Sequence, residues 1–282
     1  MSESCNHDCA SCSANCGSRE QESLIAQLNP NAKVKKVYAV VSGKGGVGKS
    51  TVTSMLAVAM QKKGYQAAIL DADITGPSIP KAFHLDHADA VEEVGLLPAL
   101  TESGIQVMSV NLLLENETDP VIWRGPILAS AVKQFWTDVL WENVDYMFVD
   151  MPPGTGDVPL TVFQSLPIDG IILVTSPQDL VSMVVAKAVR MAEMMKLPIV
   201  GLIENYSWLT CPDCGRKINV FGKSHVEAMA KKYNLAILAR LPIDAKVAEQ
   251  MDAGQADRID TEPMDGAVDV IIEQDGSAEL NH

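Results

Sequence analysis

Gly43-Lys44-Gly45-Gly46-Val47-Gly48-Lys49-Ser50-Thr51 is the stretch that decides the fold. It fits the pattern G-x-x-x-x-G-K-[ST], and its setting carries as much weight as its letters. Val37-Tyr38-Ala39-Val40-Val41-Ser42 before it is a nearly continuous apolar run, as a buried strand requires. Lys49 to Lys63 after it reads as a helix, with Val52, Met55, Leu56 and Ala59 on one face and Gly64 as its stop. A glycine-rich turn between a strand and a helix presents backbone N–H groups and a helix N-terminus to phosphate oxygens. In such a loop Lys49 reaches the β- and γ-phosphates, and the Ser50 hydroxyl holds Mg2+.

Further apolar runs follow at 67–71, 105–110, 146–150, 171–175, 199–203 and 236–241. Helical patterns lie at 127–140, 179–195 and 222–233. Strands apolar on both faces that alternate with helices predict an α/β fold, a P-loop NTPase with a mostly parallel sheet covered on both sides. The segment 86–103 is acidic and reads as an irregular surface loop, and the chain is expected to fray from about Asp275.

The chain has 282 residues, 47% of them hydrophobic and 21% charged, which suits one large α/β domain and excludes global disorder. Residues 31–282 read as that domain. Residues 1–30 read as a Cys-rich appendage and linker. The net charge of -14 disfavours nucleic acid and anionic lipid as partners. No apolar run approaches the ~20 residues of a membrane span, and the first residues lack the apolar centre of a signal peptide. A cytoplasmic protein is expected.

Two acidic motifs close predicted strands, where ligands of open α/β sheets bind. In Asp71-Ala72-Asp73-Ile74-Thr75-Gly76-Pro77-Ser78, Asp73 is placed to orient or deprotonate an attacking water. In Asp150-Met151-Pro152-Pro153-Gly154-Thr155-Gly156-Asp157, Asp150 follows an apolar run and would bind Mg2+ directly or through water. The Gly154 N–H is a candidate sensor of the γ-phosphate, with the prolines stiffening its approach and the glycines permitting a switch.

The six cysteines fall in two groups. Cys211-Pro212-Asp213-Cys214 supplies two thiolates, whereas a [4Fe-4S] cluster or an all-cysteine zinc site needs four. A two-fold axis supplies the missing pair with no other ligand. A zinc knuckle and a redox dithiol remain alternatives. Cys5, Cys9, Cys12 and Cys16 would share one face of a helix but spread over about 16 Å at 1.5 Å per residue, so they reach a single centre only if the segment wraps as a loop. A second [4Fe-4S] cluster, a zinc site or an unmetallated tail all fit that spacing.

These strings together resemble the Mrp/ApbC/Nbp-type P-loop ATPases, the iron–sulfur cluster carrier branch of the deviant Walker A group. The resemblance runs over about residues 34–255 and rests on Gly43–Thr51, Asp71–Ser78, Trp123-Arg124-Gly125-Pro126, Asp150–Asp157, Glu204-Asn205-Tyr206-Ser207, Cys211–Cys214, Phe221-Gly222 and Leu241-Pro242-Ile243-Asp244. It implies one α/β domain that dimerises face to face around two ATP molecules. It implies that Lys44 reaches the partner's nucleotide, that Asn205 contacts adenine, and that the Pro242 segment lines the base. It further implies a [4Fe-4S] cluster bridging the dimer between Cys211 and Cys214 of each subunit. Slow ATP hydrolysis would be coupled to transfer into apo iron–sulfur proteins, with cluster assembly factors as further partners. Some family members carry an N-terminal four-cysteine cluster motif with wider spacing than that of Cys5, Cys9, Cys12 and Cys16.

Two other functions compete. A positioning switch of the Min or Par kind would use a basic membrane helix or a basic DNA face, yet the stretch from Glu262 to His282 has no Lys or Arg. The other is an ATPase whose thiolates hold structural zinc.

Overall fold

The computed structural model describes residues 25–73, 78–91, 95–113, 125–154, 157–178 and 181–279. In chain order the elements are β1 (Val34–Ser42), α1 (Lys49–Lys62), β2 (Ala67–Asp71), α2 (Ser78–Ala82), β3 (Ala90–Val91), β4 (Gly95–Leu96), β5 (Ala99–Leu100), β6 (Gln106–Ser109), α3 (Gly125–Thr137), β7 (Val144–Asp150), α4 (Asp157–Ser165) and β8 (Gly170–Thr175). There follow α5 (Val181–Met195), β9 (Ile199–Glu204), β10 (Leu209–Thr210), β11 (Lys217–Ile218), α6 (Val226–Tyr233), β12 (Ile237–Arg240), α7 (Ala245–Asp252) and α8 (Asp265–Glu279).

Eight strands form one sheet in the order β12-β9-β8-β1-β7-β2-β6-β5. Every pairing is parallel except that of β5 with β6. Side chains alternate between the two faces of this sheet, and each face has its own core. Val37, Ala39 and Val41 point into a core shared with α3, α4, α5 and α6. Tyr38 and Val40 point into the other, shared with α1, α2 and α8. The same alternation divides Met147 and Val149 from Tyr146 and Phe148. Burial on both faces explains why these strands read as apolar runs rather than as alternating patterns.

The layout puts β1 between β7 and β8, where the strand order turns. In register, Val40 faces Asp150 and Asp71 faces Asp150, so the carboxyl ends of β1, β2 and β7 lie side by side. That crevice is the expected ligand site of an open α/β sheet.

Two expectations are corrected. The acidic segment 86–103 is not irregular throughout: β3 pairs with β4, and β5 extends the main sheet. The end of the 1–30 segment packs on the domain. Ala26 is buried, its N–H donates to Ser165 O at 2.8 Å, and its carbonyl accepts from Trp136 Nε1 at 3.1 Å. In the stretch from about Asp275, expected to fray, α8 continues to Glu279. The Tyr38 hydroxyl, buried beneath the sheet, donates to Asp275 Oδ1 at 2.8 Å, and Lys36 Nζ stands 3.3 Å from the same carboxylate.

Burial, and then Asp275, push the Tyr38 phenol far above its ordinary value. A phenol raised on folding contributes stability that is complete below about pH 10 and is lost as pH climbs past that value. Tyr38→Phe should lower the unfolding free energy by about 1–2 kcal/mol and flatten this alkaline decline, as read from urea midpoints at pH 7 and pH 10.5. An unchanged midpoint would mean that the bond does not hold α8 in place.

Candidate functional site

The loop between β1 and α1 leaves the sheet at its turning point. Gly46 and Gly48 have φ of +80° and +75°, in the left-handed region where a side chain is strained. At Gly48 a Cβ would also lie 2.2 Å from Asn205 Nδ2, so the position admits only glycine. The first turn of α1 has no side-chain cap and no acidic residue, which leaves its N–H groups directed at the crevice.

A cleft of about 260 Å³ lies over this loop, lined among others by Gly45, Gly46, Gly48, Lys49, Ser50 and Asp73. Lys49 is buried, its ammonium 2.8 Å from Asp150 Oδ2 and 3.3 Å from Asp73 Oδ2. Ser50 Oγ donates to Asp150 Oδ2 at 2.6 Å. The loop lysine, the loop serine and the strand-end aspartate therefore meet at one point. Lys44 does not line this cleft, and its ammonium instead donates to Gln178 Oε1 beyond the end of β8. The Gly154 N–H donates to Ser42 O at 2.9 Å, and Gly154 has φ of +95°.

Two supporting residues had no role assigned from the sequence. Thr53, one turn along α1 from Ser50, donates to Asp150 Oδ1 at 2.7 Å and fixes the second carboxylate oxygen. Asp71 is buried beside Asp150, accepting from Ser109 Oγ at 2.9 Å and from the Asp73 N–H at 3.0 Å. Burial, reinforced by the Asp150 charge, holds its carboxyl well above the usual carboxylate range. The Ser50-x-x-Thr53 spacing was the available signal for Thr53, because residues three apart share a helix face. Nothing local marks Asp71 as the neighbour of Asp150.

A second cleft, of about 240 Å³, continues from the first, and the two share Thr51 and Tyr206. Asn205, Pro242, Val247 and Met251 are among its walls. Asn205 Nδ2 donates to Val47 O at 3.0 Å, and its Oδ1 accepts from the Tyr206 N–H at 2.9 Å. A polar phosphate end thus runs into a more enclosed, more apolar end edged by an amide, a shape that suits a nucleotide.

Cys211 and Cys214 lie away from this groove, on the turn between β10 and β11. The turn is closed by Cys211 N–H to Arg216 O and Gly215 N–H to Cys211 O, both at 2.9 Å. Cys214 is exposed and Cys211 half-buried. On either side of them in the chain, Leu209, Ile218, Val220 and Phe221 are exposed apolar side chains. The N–H groups of Cys214 and then Asp213 hold the Cys211 thiol below its ordinary value. Among the described residues no group of three or more His, Cys, Asp or Glu is arranged to hold a metal. The pair is a good half-site for a thiophilic centre and needs further ligands from outside it. Iodoacetamide labelling of the reduced, metal-free chain should show Cys211 titrating below the ~8.5 of a free thiol. A midpoint at or above that value would contradict the N–H bonds to its sulfur.

Cys5, Cys9, Cys12 and Cys16 lie outside the described residues, as do Trp123, Arg124, Thr155 and Gly156.

The description "NUBPL iron-transfer P-loop NTPase" matches residues 33–274. The chain belongs to that iron-transfer P-loop NTPase family. An iron–sulfur cluster carrier protein of Clostridium perfringens is 44% identical over 265 residues, 88% of this chain and 93% of the relative. One of Methanocaldococcus jannaschii is 41% identical over 89% of each chain. Among solved structures, a nucleotide-binding protein from Archaeoglobus fulgidus in complex with ADP is 40% identical, with a TM-score of 0.72 over 80% of this chain and 88% of that one. The cell-division ATPase MinD of Pyrococcus furiosus is 20% identical at a TM-score of 0.58 over 85% and 99%, a likeness of fold alone. Among the described residues no helix is long and apolar enough to cross a membrane.

Proposed function

We propose that this chain is an ATP-hydrolysing carrier of iron–sulfur clusters. It works as a homodimer that holds a [4Fe-4S] cluster between two Cys211–Cys214 pairs and passes it to apo iron–sulfur proteins. The observation that carries this reading is the exposed half-site itself: two thiols on a short hairpin, flanked along the chain by exposed apolar side chains, on a chain that also bears a glycine-rich phosphate loop. A second copy across a two-fold axis supplies the other half and covers the apolar rim. An exposed, shared cluster suits hand-over rather than storage. The family, and the carrier names of its close relatives, support the same cargo.

ATP would lie along the double cleft, its base beside Asn205 and Pro242 and its phosphates on the Gly43–Thr51 loop. The donor set fits Mg2+, a hard cation that takes oxygen ligands, through the Ser50 hydroxyl and through Asp150 directly or by water. Mg2+ would neutralise charge on the phosphates. Lys49 would bind the transferred phosphoryl group, Asp73 would orient water, and Gly154 would exchange Ser42 O for a γ-phosphate oxygen. Lys44, turned toward Gln178, is free of its own phosphate cleft and would serve the partner's nucleotide. Hydrolysis would be slow and coupled to transfer. Cys5, Cys9, Cys12 and Cys16 would hold a second cluster. Reduced thiols require a reducing compartment, which makes the cytoplasm the working location.

The N–H bonds to the Cys211 sulfur also suit a zinc knuckle, so structural zinc is the second reading. The test is anaerobic transfer. The reconstituted protein should restore activity to an apo [4Fe-4S] enzyme faster than free iron and sulfide do. Equal rates would reject the carrier reading.

A further inference from the structure

β9 ends on neighbouring side chains that serve different parts of the molecule. Asn205 rests on the phosphate loop, bonded to Val47 O and packed against Gly48. Glu204, 1% exposed, lines a separate cavity with Thr175, Gln178 and His225. Its Oε2 accepts from Ser207 Oγ at 2.7 Å, and its Oε1 accepts from Ser224 Oγ. Arg240 Nε stands 3.7 Å from Oε2.

The positions of the two serines give this bond pattern its meaning. Ser207 comes just before the hairpin of β10 and β11, and Ser224 comes just after it. A single carboxylate therefore holds both ends of the segment that carries Cys211 and Cys214. The near end is also braced by backbone bonds, Ser207 N–H to Leu241 O at 2.9 Å and Ile243 N–H to Trp208 O at 2.7 Å. At the far end Ser224 Oγ also accepts from the Val226 N–H at 3.1 Å, at the start of α6. Burying a carboxylate is costly unless its oxygens are bonded, and a carboxylate so bonded is fixed in place. Glu204 cannot shift without moving both serines or breaking a bond.

We propose that Glu204 is a positioning residue. It ties both ends of the cysteine hairpin to the strand whose next residue, Asn205, rests on the phosphate loop, so that nucleotide binding changes the accessibility of Cys211 and Cys214. This inference rests on the reading of those thiols as the carrying site. A nucleotide that draws on Val47 and Gly48 alters the seat of Asn205, and one peptide unit away Glu204 carries the change to the hairpin. Coupling of this kind requires an element that both sites bias, and the Glu204–Asn205 corner touches both, through Val47 on one side and through Ser207 and Ser224 on the other.

The test uses the full, reduced, metal-free chain, with iodoacetamide labelling of each cysteine followed by mass spectrometry. Rates are compared without nucleotide, with MgADP and with a non-hydrolysable ATP analogue and Mg2+. Cys5, Cys9, Cys12 and Cys16 serve as internal controls. In the unmodified chain nucleotide should change the rates at Cys211 and Cys214 by about fivefold or more. Ser224→Ala, which cuts the far tie, should bind nucleotide normally and lose most of that response. Glu204→Asp keeps the charge beside Arg240 but is one methylene too short to span both serines, and should behave alike. Ser224→Thr, which keeps the hydroxyl, should restore the response.

A response that survives in both Ser224→Ala and Glu204→Asp would overturn the proposal. So would loss of nucleotide binding in both, or the absence of any response in the unmodified chain. The readout needs no cluster. A chain that shows the response but never binds iron would reject the carrier reading and leave the tie standing.

Discussion

Cys211→Ala/Cys214→Ala should bring cluster transfer to an apo [4Fe-4S] enzyme down to the background set by free iron and sulfide. The physical reason is ligand count. A cluster shared by two copies takes its four cysteine ligands from two pairs, and the double variant removes all of them. Either single variant removes one thiolate per subunit and leaves two for the dimer, so each should lose nearly as much. Both thiols lie on an exposed turn whose closure uses backbone groups, so the fold should survive. An unchanged thermal midpoint alongside lost transfer is the expected pair of results. Transfer at the unmodified rate would place the carried cluster elsewhere, with Cys5, Cys9, Cys12 and Cys16 as the remaining thiols.

Lys49→Gln should slow single-turnover ATP hydrolysis about 10²- to 10³-fold, the scale expected when a charge-stabilising group is removed from a closed phosphate site. The glutamine keeps a polar side chain of similar volume but is uncharged and one atom shorter, so the pairs with Asp73 and Asp150 are lost along with the charge. Lys44→Gln should fall comparably if its ammonium acts on the partner's nucleotide. Mixing the two inactive chains separates the possibilities. In a mixed dimer the Lys44→Gln chain still has its own Lys49, and the Lys49→Gln chain still offers its Lys44. One of the two sites is then complete, so each mixed dimer should regain up to half of the activity of the unmodified dimer, or about a quarter for a randomly paired equimolar mixture. No recovery on mixing would mean that Lys44 acts within its own chain.

Much of this site could be read before the structure, for a physical reason. A phosphate loop is built from adjacent backbone groups, so its letters and its shape lie in one stretch, Gly43 to Thr51. Strands buried on both faces announce themselves as apolar runs, which is why β1, β2 and β7 to β9 were legible. The groups that steady the site were not. Thr53 and Asp71 take their meaning from Asp150, and Glu204 takes its meaning from Ser224; these are contacts across the fold. The helical course of α8 past Asp275 was hidden for the same reason. An acidic, polar stretch reads as solvated until Tyr38 and Lys36 are seen beneath it. In the segment 86–103, strands of two residues are too short to show any period.

The cell-division ATPase MinD of Pyrococcus furiosus shares this fold. α8 bears no Lys or Arg and offers no basic face to an anionic membrane. The β10–β11 hairpin instead presents two thiols.

A cluster shared between two copies of this chain has a fixed metal content. The direct measurement is iron, acid-labile sulfide and zinc per protomer, with the mass of the assembly, after anaerobic reconstitution of a chain lacking residues 1–18. That deletion removes Cys5, Cys9, Cys12 and Cys16 and leaves the Cys211–Cys214 pair alone. The expected result is a dimer holding about four irons and four sulfides, lost together in Cys211→Ala/Cys214→Ala. Zinc without sulfide, in protein supplied with ample iron, would contradict the account and leave a zinc-stabilised nucleotide switch.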